Sequence, residues 1–221
     1  IFRKKKEIYS QASITFVGCS RWLAEKAKVS GLLTGQTVIS IPNAINTNLF
    51  KPHNKQEARR KCRLPQEGKL ILFCSVKITD KRKGIDYLIE ACKLLAEKHP
   101  EWKESLGVVV FGNQSQQLQD LIPFRVYPLP YIKNEHELVD IYNAVDLFAI
   151  PSLEENLPNM VMEAMSCGVP CVGFNTGGIP EMIDHLHNGY VAQRKSSEDL
   201  ANGIHWVLTE PCLLYTSDAA D

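Results

Sequence analysis

The sequence predicts an α/β protein with a Rossmann-like parallel sheet covered by helices on both faces. Three observations carry that expectation. Short, wholly apolar segments alternate with longer ones whose apolar residues recur every three to four positions. This is the pattern of buried parallel strands joined by amphipathic helices. The chain has 221 residues, 44% of them hydrophobic and 23% charged, which supplies a sizeable core and excludes disorder as the dominant state. Glycine and proline stand at the junctions between the two kinds of segment, where turns need them.

The elements follow in order. Residues 13–18 read as a short buried strand, and Ser20 opens a helix as its N-cap. A second strand over 37–41 stops at Pro42-Asn43. Residues 42–54 contain two prolines and four asparagines and read as a linker. Regular alternation then begins. A strand is predicted over 69–76 and a helix over 84–99, with Ile85, Leu88, Ile89, Cys92 and Leu95 on one face. Strand 107–112, helix 134–144, strand 146–150, helix 158–167 and strand 170–174 continue the pattern. Helices over 178–185 and 197–209 close it, around a short strand at 190–193. Residues 212–221 show no period and resemble a read-through peptide, so they read as a non-native tail. Ile1 in place of an initiator Met reads as the start of an incomplete chain.

Charge and cysteine usage narrow the function classes. Net charge is zero, yet residues 140–221 hold twelve acidic and only two basic side chains, leaving the first 139 residues basic. The Arg3–Lys6 run reads as a solvated helix face or a membrane-proximal patch. No aromatic residue interleaves with it, as a base-stacking platform for nucleic acid would require. No apolar run reaches the ~18 residues of a membrane-spanning helix, and no secretory signal is visible. Seven cysteines, an odd number without a CxxC pair, fit reduced thiols in a cytoplasmic protein. His185-x-His187 lacks the further ligands of a zinc site, so no metal is expected.

Parallel sheets bind ligands in the loops beyond the carboxyl ends of their strands, and three such loops stand out. The first, Ser75-Val-Lys77-Ile-Thr-Asp-Lys-Arg-Lys83-Gly84, reads equally as a cationic cradle for a diphosphate or as a solvated lysine-rich loop. The second is PSLEENLPNMVMEAMSCG, from Pro151 to Gly168. Pro158 suits the first helical turn, and the amides of Asn159, Met160 and Val161 are free to face an anion. Glu155 before that helix and Glu163 within it can accept hydrogen bonds from sugar hydroxyls. Glu155 reads alternatively as a solvated loop acid. Glu163 reads alternatively as a surface acid, although it sits among Met160, Val161, Met162, Ala164 and Met165. In the third loop, Gly177-Gly178 permits either close approach of a ligand or a tight turn.

Together these segments resemble the retaining glycosyltransferases of family 4, which have the GT-B fold. The resemblance rests on PSLEENLPNMVMEAMSCGVPCVGFNTGGIPEMI and extends through SIPNAINTNLFKP, KITDKRKGIDYLIEA, VVVFGN and AVDLFAIPS, over about residues 13–210. It implies the C-terminal donor-binding domain over 55–211, joined by the 42–54 linker to the end of an N-terminal acceptor domain over 1–41. By the same resemblance Glu155 would contact the donor sugar and Glu163 the nucleotide's ribose, while Lys77 and Lys83 match an Arg-x5-Lys clamp on the diphosphate. Lys77 stands where the family has arginine, which loses bidentate contact. Asn156, Leu157, Asn159, Met160, Val161, Gly177 and Gly178 would complete the donor site. Gly112, Tyr131 and Ile132 would line the base pocket, with Tyr131 alternatively a core aromatic.

The resemblance further implies sugar transfer from a UDP-, GDP- or ADP-sugar to a glycan or lipid-linked acceptor. It implies a retained anomeric configuration, no metal or other cofactor, and a cytoplasmic location with contact at the inner membrane face. A non-catalytic nucleotide-sugar-binding module, a GT-B nucleotide-sugar epimerase and a polyanion-binding protein remain alternatives.

Overall fold

The computed structural model describes residues 1–77, 80–113, 115–130, 132 and 134–210; the side chains of residues 76, 77, 113, 115 and 116 fall outside that description, as do the remaining residues, the 212–221 tail among them. Its centre is β3 (Lys69–Lys77), whose residues alternate between two cores. Ile71 and Phe73 face one side, where α4 (Ile85–Lys98) and α7 (Ser197–Thr209) pack with Leu88, Cys92, Leu95, Leu200 and Ile204. Leu70, Leu72 and Cys74 face the other, against α3 (Lys55–Lys61), α5 (Glu135–Ala144) and α6 (Asn159–Ser166). The wholly apolar strands are thus a consequence of burial on both faces.

β3 is flanked by β4 (Leu106–Asn113) on one side and β6 (Leu147–Ile150) on the other. β5 (Arg125–Leu129) extends the sheet beyond β4, and β7 (Cys171–Phe174) and β8 (Gly189–Ala192) extend it beyond β6. All five pairings are parallel. The order 5-4-3-6-7-8 reverses direction between β3 and β6. That reversal opens a crevice beyond the carboxyl ends of these two strands.

The first forty residues form a smaller unit. α1 (Phe2–Gln11) precedes β1 (Thr15–Gly18), α2 (Arg21–Lys28) and β2 (Thr37–Ser40), and the two strands pair in parallel. Ser20 caps α2 by accepting from the Leu23 N–H at 3.0 Å. Residues 42–54 hold no helix or strand, but Phe50 is buried and the Asn143 side chain bonds the backbone of Lys51 and His53. Among the described residues no helix is long and apolar enough to cross a membrane.

Two predicted elements are corrected. The strand expected to be buried over 13–18 is Thr15–Gly18, and only Gly18 in it is buried, with Val17 56% exposed, because its sheet has just two strands. The helix over 178–185 is a single 3-10 turn, Ile179–Glu181. The Asp184 N–H is taken by the Asn188 side chain at 2.9 Å, and Leu186 adopts φ 63°, which ends any helix.

Candidate functional site

The crevice is walled by three loops that hold one another in place. After β3, Asp80 accepts from the Arg82 N–H and pairs with its guanidinium at 2.8 Å, capping a 3-10 turn over Lys81–Lys83. Gly84 follows at φ 72°, and a Cβ there would collide with the Pro151 carbonyl oxygen. The Leu153 N–H donates to the Arg82 carbonyl at 2.7 Å. The loop after β3 is therefore pinned to the loop after β6, and Lys83 Nζ bonds Glu155 Oε1 as a consequence. Gly84→Ala should lower stability by about 2 kcal/mol; urea unfolding would check it.

The glycine pair after β7 has a structural reason. Gly177 has φ 58°, and a Cβ on it would strike the Glu155 carbonyl; one on Gly178 would strike that of Asn156. The Gly178 N–H donates to the Asn156 carbonyl at 2.6 Å. Both glycines therefore admit the Glu155–Asn156 backbone, and Gly177 also lines the open side of the cleft.

Helix α6 starts in the crevice, but it offers fewer amides than the sequence suggests. The Val161 N–H donates to the Pro158 carbonyl at 3.0 Å and its side chain is fully buried, so Val161 is removed from the anion-facing set. Asn159 and Met160 line a narrow pocket of about 160 Å³ with Phe73, Cys74, Lys83 and Glu155. The Asn159 carboxamide oxygen accepts from Asn43 at 2.9 Å. Leu157 is a buried packing residue. Asn156 turns its side chain to the first unit: Ser20 Oγ donates to Oδ1 at 2.6 Å, and Nδ2 approaches Cys19 Sγ at 2.9 Å. These bonds hold the loop, and Asn156 also lines the open cleft beside Glu155.

Glu163, half-buried one turn further along α6, accepts from the Tyr142 hydroxyl at 2.9 Å. Burial raises its pKa above the ordinary 4.5 and the nearby Glu135 adds to the rise, while the Tyr142 bond opposes them. Ionised Glu163 consequently subtracts from stability at neutral pH, and that cost disappears as pH falls through the raised pKa. An acid kept ionised against this gradient, with its hydroxyl partner behind it, is suited to bind hydroxyl groups in front.

Gly112, Ile132 and the Lys77 backbone lie at the same sheet edge. Gly112 is buried near the end of β4 at φ 140°, and the register sets Phe111 beside Leu129 just before Ile132. Ile132 packs against the core with its side chain half-buried. The Lys77 backbone pairs with Asn113 beyond a bulge in β3, while its side chain and the whole of Tyr131 lie outside the described residues. His185 and His187 separate: one accepts from the Val191 N–H at 3.1 Å and the other lies beside Asp184.

Sequence reasoning missed Trp22, Lys26, Thr176 and Arg194, which line an open cleft of about 770 Å³ with Lys83 and Glu155. One signal was available: Arg194 and Lys195 are the two basic residues of the acidic final third and follow a strand.

The model of the glycosyl transferases of group 1 matches residues 54–218. The chain belongs to the group 1 glycosyltransferases. An uncharacterised glycosyltransferase of Haemophilus influenzae is 29% identical over 191 residues, covering 85% of this chain and 50% of that protein. The chain thus spans about half the length of that relative. The C-terminal domain of a group 1 family glycosyltransferase from Francisella tularensis superposes with a TM-score of 0.63 at 23% identity, covering 78% of this chain and 91% of that one. Anabaena HepE, solved in complex with UDP and glucose, superposes at 0.72 and 21% identity, covering 97% and 59%. These likenesses establish a GT-B glycosyltransferase fold for the chain.

Proposed function

We propose that this chain is the donor-binding part of a retaining family 4 enzyme that transfers a hexose from a nucleoside diphosphate to a glycan or lipid-linked acceptor. The observation that carries the reading is the meeting of Lys83 and Glu155 at the switch point of the sheet, beside the start of α6. In this reading the Asn159 and Met160 amides, the helix dipole and Lys83, joined by Lys77, take the diphosphate charge. Glu163 accepts from the ribose hydroxyls, and Glu155 from the donor sugar. The base lies by Gly112, Tyr131 and Ile132. Catalysis is then mainly positioning and stabilisation of the leaving diphosphate, with cationic side chains standing in place of a divalent ion. HepE, of the same fold, was solved with UDP and glucose, which supports a nucleotide-sugar donor. The exposed basic helix α1, with Phe2 and Ile8 also exposed, supports peripheral membrane contact.

Calorimetry of the chain against UDP, GDP and ADP tests the reading; no binding by folded protein at millimolar concentration would sink it. EDTA should leave that binding unchanged. Glu163→Ala should weaken it about tenfold, the loss of a charge-assisted hydrogen bond, with the melting temperature largely kept. Wild-type affinity should fall as pH drops through the raised pKa of Glu163. Tyr142→Phe, which removes the bond that lowers that pKa, should move the fall to higher pH.

A further inference from the structure

Two cavities share the Lys83–Glu155 pair as a common wall. The narrow one reaches between the ends of β3 and β6 and the start of α6. The wide one opens the other way, across the loops after β6, β7 and β8 to helix α2. A site that joins two substrates needs this arrangement, with one molecule on each side of the groups at the reaction centre.

The lining of the wide cleft differs in kind from a phosphate pocket. Trp22 is 41% exposed, with its backbone N–H anchored to Glu181 at 2.7 Å. A flat indole face left open among polar groups suits the C–H face of a sugar ring. The charge around it is positive. Arg82 is matched by Asp80 and Lys83 by Glu155. Lys26 has no carboxylate partner among the described residues, and Arg194 donates twice to a neutral acceptor, the Leu153 carbonyl, at 2.9 and 3.2 Å. Glu154 is the one acid of the lining that remains to offset these two. On the same wall Thr176 is only 9% exposed, and its hydroxyl has no hydrogen-bond partner among the described residues. Its hydroxyl oxygen is enclosed behind the cleft wall, out of a ligand's reach, so the site rests on Trp22, Lys26 and Arg194.

We propose that the wide cleft is the subsite of the second substrate and that it selects an anionic sugar, its ring on Trp22 and its carboxylate or phosphate met by Lys26 and Arg194. The inference rests on the glycosyl-transfer reading, which makes this a site for two substrates.

The test titrates the chain, with and without saturating UDP, with three disaccharides of one skeleton: cellobiose, cellobiouronic acid and cellobiose 6′-phosphate. Heat and tryptophan fluorescence report binding. Both anionic disaccharides should bind about tenfold more tightly than cellobiose, and the tighter of them identifies the anion. Lys26→Glu, on an exposed face of α2, should abolish the preference without moving Tm, and Trp22→Ala should weaken all three. Equal binding of the three, no binding, or a preference that survives both Lys26→Glu and Arg194→Gln would overturn the subsite. UDP bound without any charge preference removes this inference alone; absence of UDP binding removes the donor reading and this inference with it.

Discussion

Lys83→Ala, in a full-length enzyme built around this chain, should lower kcat about 10²–10³-fold while changing the donor KM far less. The reason lies in when the charge appears. As the glycosidic bond breaks, negative charge grows on the departing diphosphate, and only interactions that strengthen at that moment speed the chemical step. In the proposed reading Lys83 takes that duty. Its turn is capped by Asp80 and tied to Leu153, and its ammonium already sits at Glu155 in the crevice. A structural side effect must be separated. Without Lys83, a carboxylate whose side chain is 13% exposed loses its partner, so some stability should go with it. Lys83→Ala/Glu155→Gln removes both charges and should regain stability without regaining kcat. Glu155→Gln alone should alter discrimination between donors as well as rate. Lys77→Arg, which restores the family's residue, should retain or raise activity. Wild-type kcat in Lys83→Ala, with Lys77→Arg also unchanged, would reduce this loop to a solvated lysine cluster.

The parts of the molecule legible in the sequence were those where one physical signal dominated. β3, β4, β6 and β7 are buried on both faces, so they read as apolar runs. The buried stripe Ile85, Leu88, Cys92 and Leu95 of α4 repeats at helical spacing. The three site loops followed, because a parallel sheet fixes where its ligand edge must be. Elements whose packing breaks the usual polarity were not legible. α1 buries no residue and shows no stripe. α3 buries only Ala58 and an arginine, so Lys55–Lys61 shows no apolar stripe. β5 carries Pro128, which a strand at the edge of the sheet tolerates and an interior one does not. In the site, the family resemblance pointed to Glu155, Glu163 and Lys83, but a motif does not reveal partners. The turn of Asn156 toward Ser20, the Tyr142 hydroxyl behind Glu163 and the bonded amide of Val161 depend on residues far off in the chain.

The buried arginine of α3 leads to the largest expected loss of stability. Arg59 is 3% exposed, and its guanidinium reaches four acceptors: the carbonyls of Ala144, Gln66 and Gly68 at 2.9–3.1 Å and the Asp146 carboxylate at 2.8 Å. Asp146 in turn accepts from the Leu70 N–H and from Lys55, both at 2.8 Å. One ion pair therefore fastens α3 to the amino ends of β3 and β6, opposite the ligand crevice. Asp146→Ala leaves a guanidinium buried without its counter-charge, which costs about 3–5 kcal/mol. For a chain of this length that corresponds to a fall in Tm of about 6–20 °C. Arg59→Met removes the charge but strands three carbonyls and leaves Asp146 with only Lys55 and the Leu70 N–H, so it should also destabilise. The double variant should lose less than the sum of the two single losses, because neither charge is then left alone. Urea unfolding should show lower midpoints at unchanged m. Nucleotide affinity measured below the transition should stay near wild type, since the pair lies at the far end of the strands. A loss under about 1 kcal/mol for Asp146→Ala would place the pair with solvent-screened surface bridges and remove it as the anchor of α3.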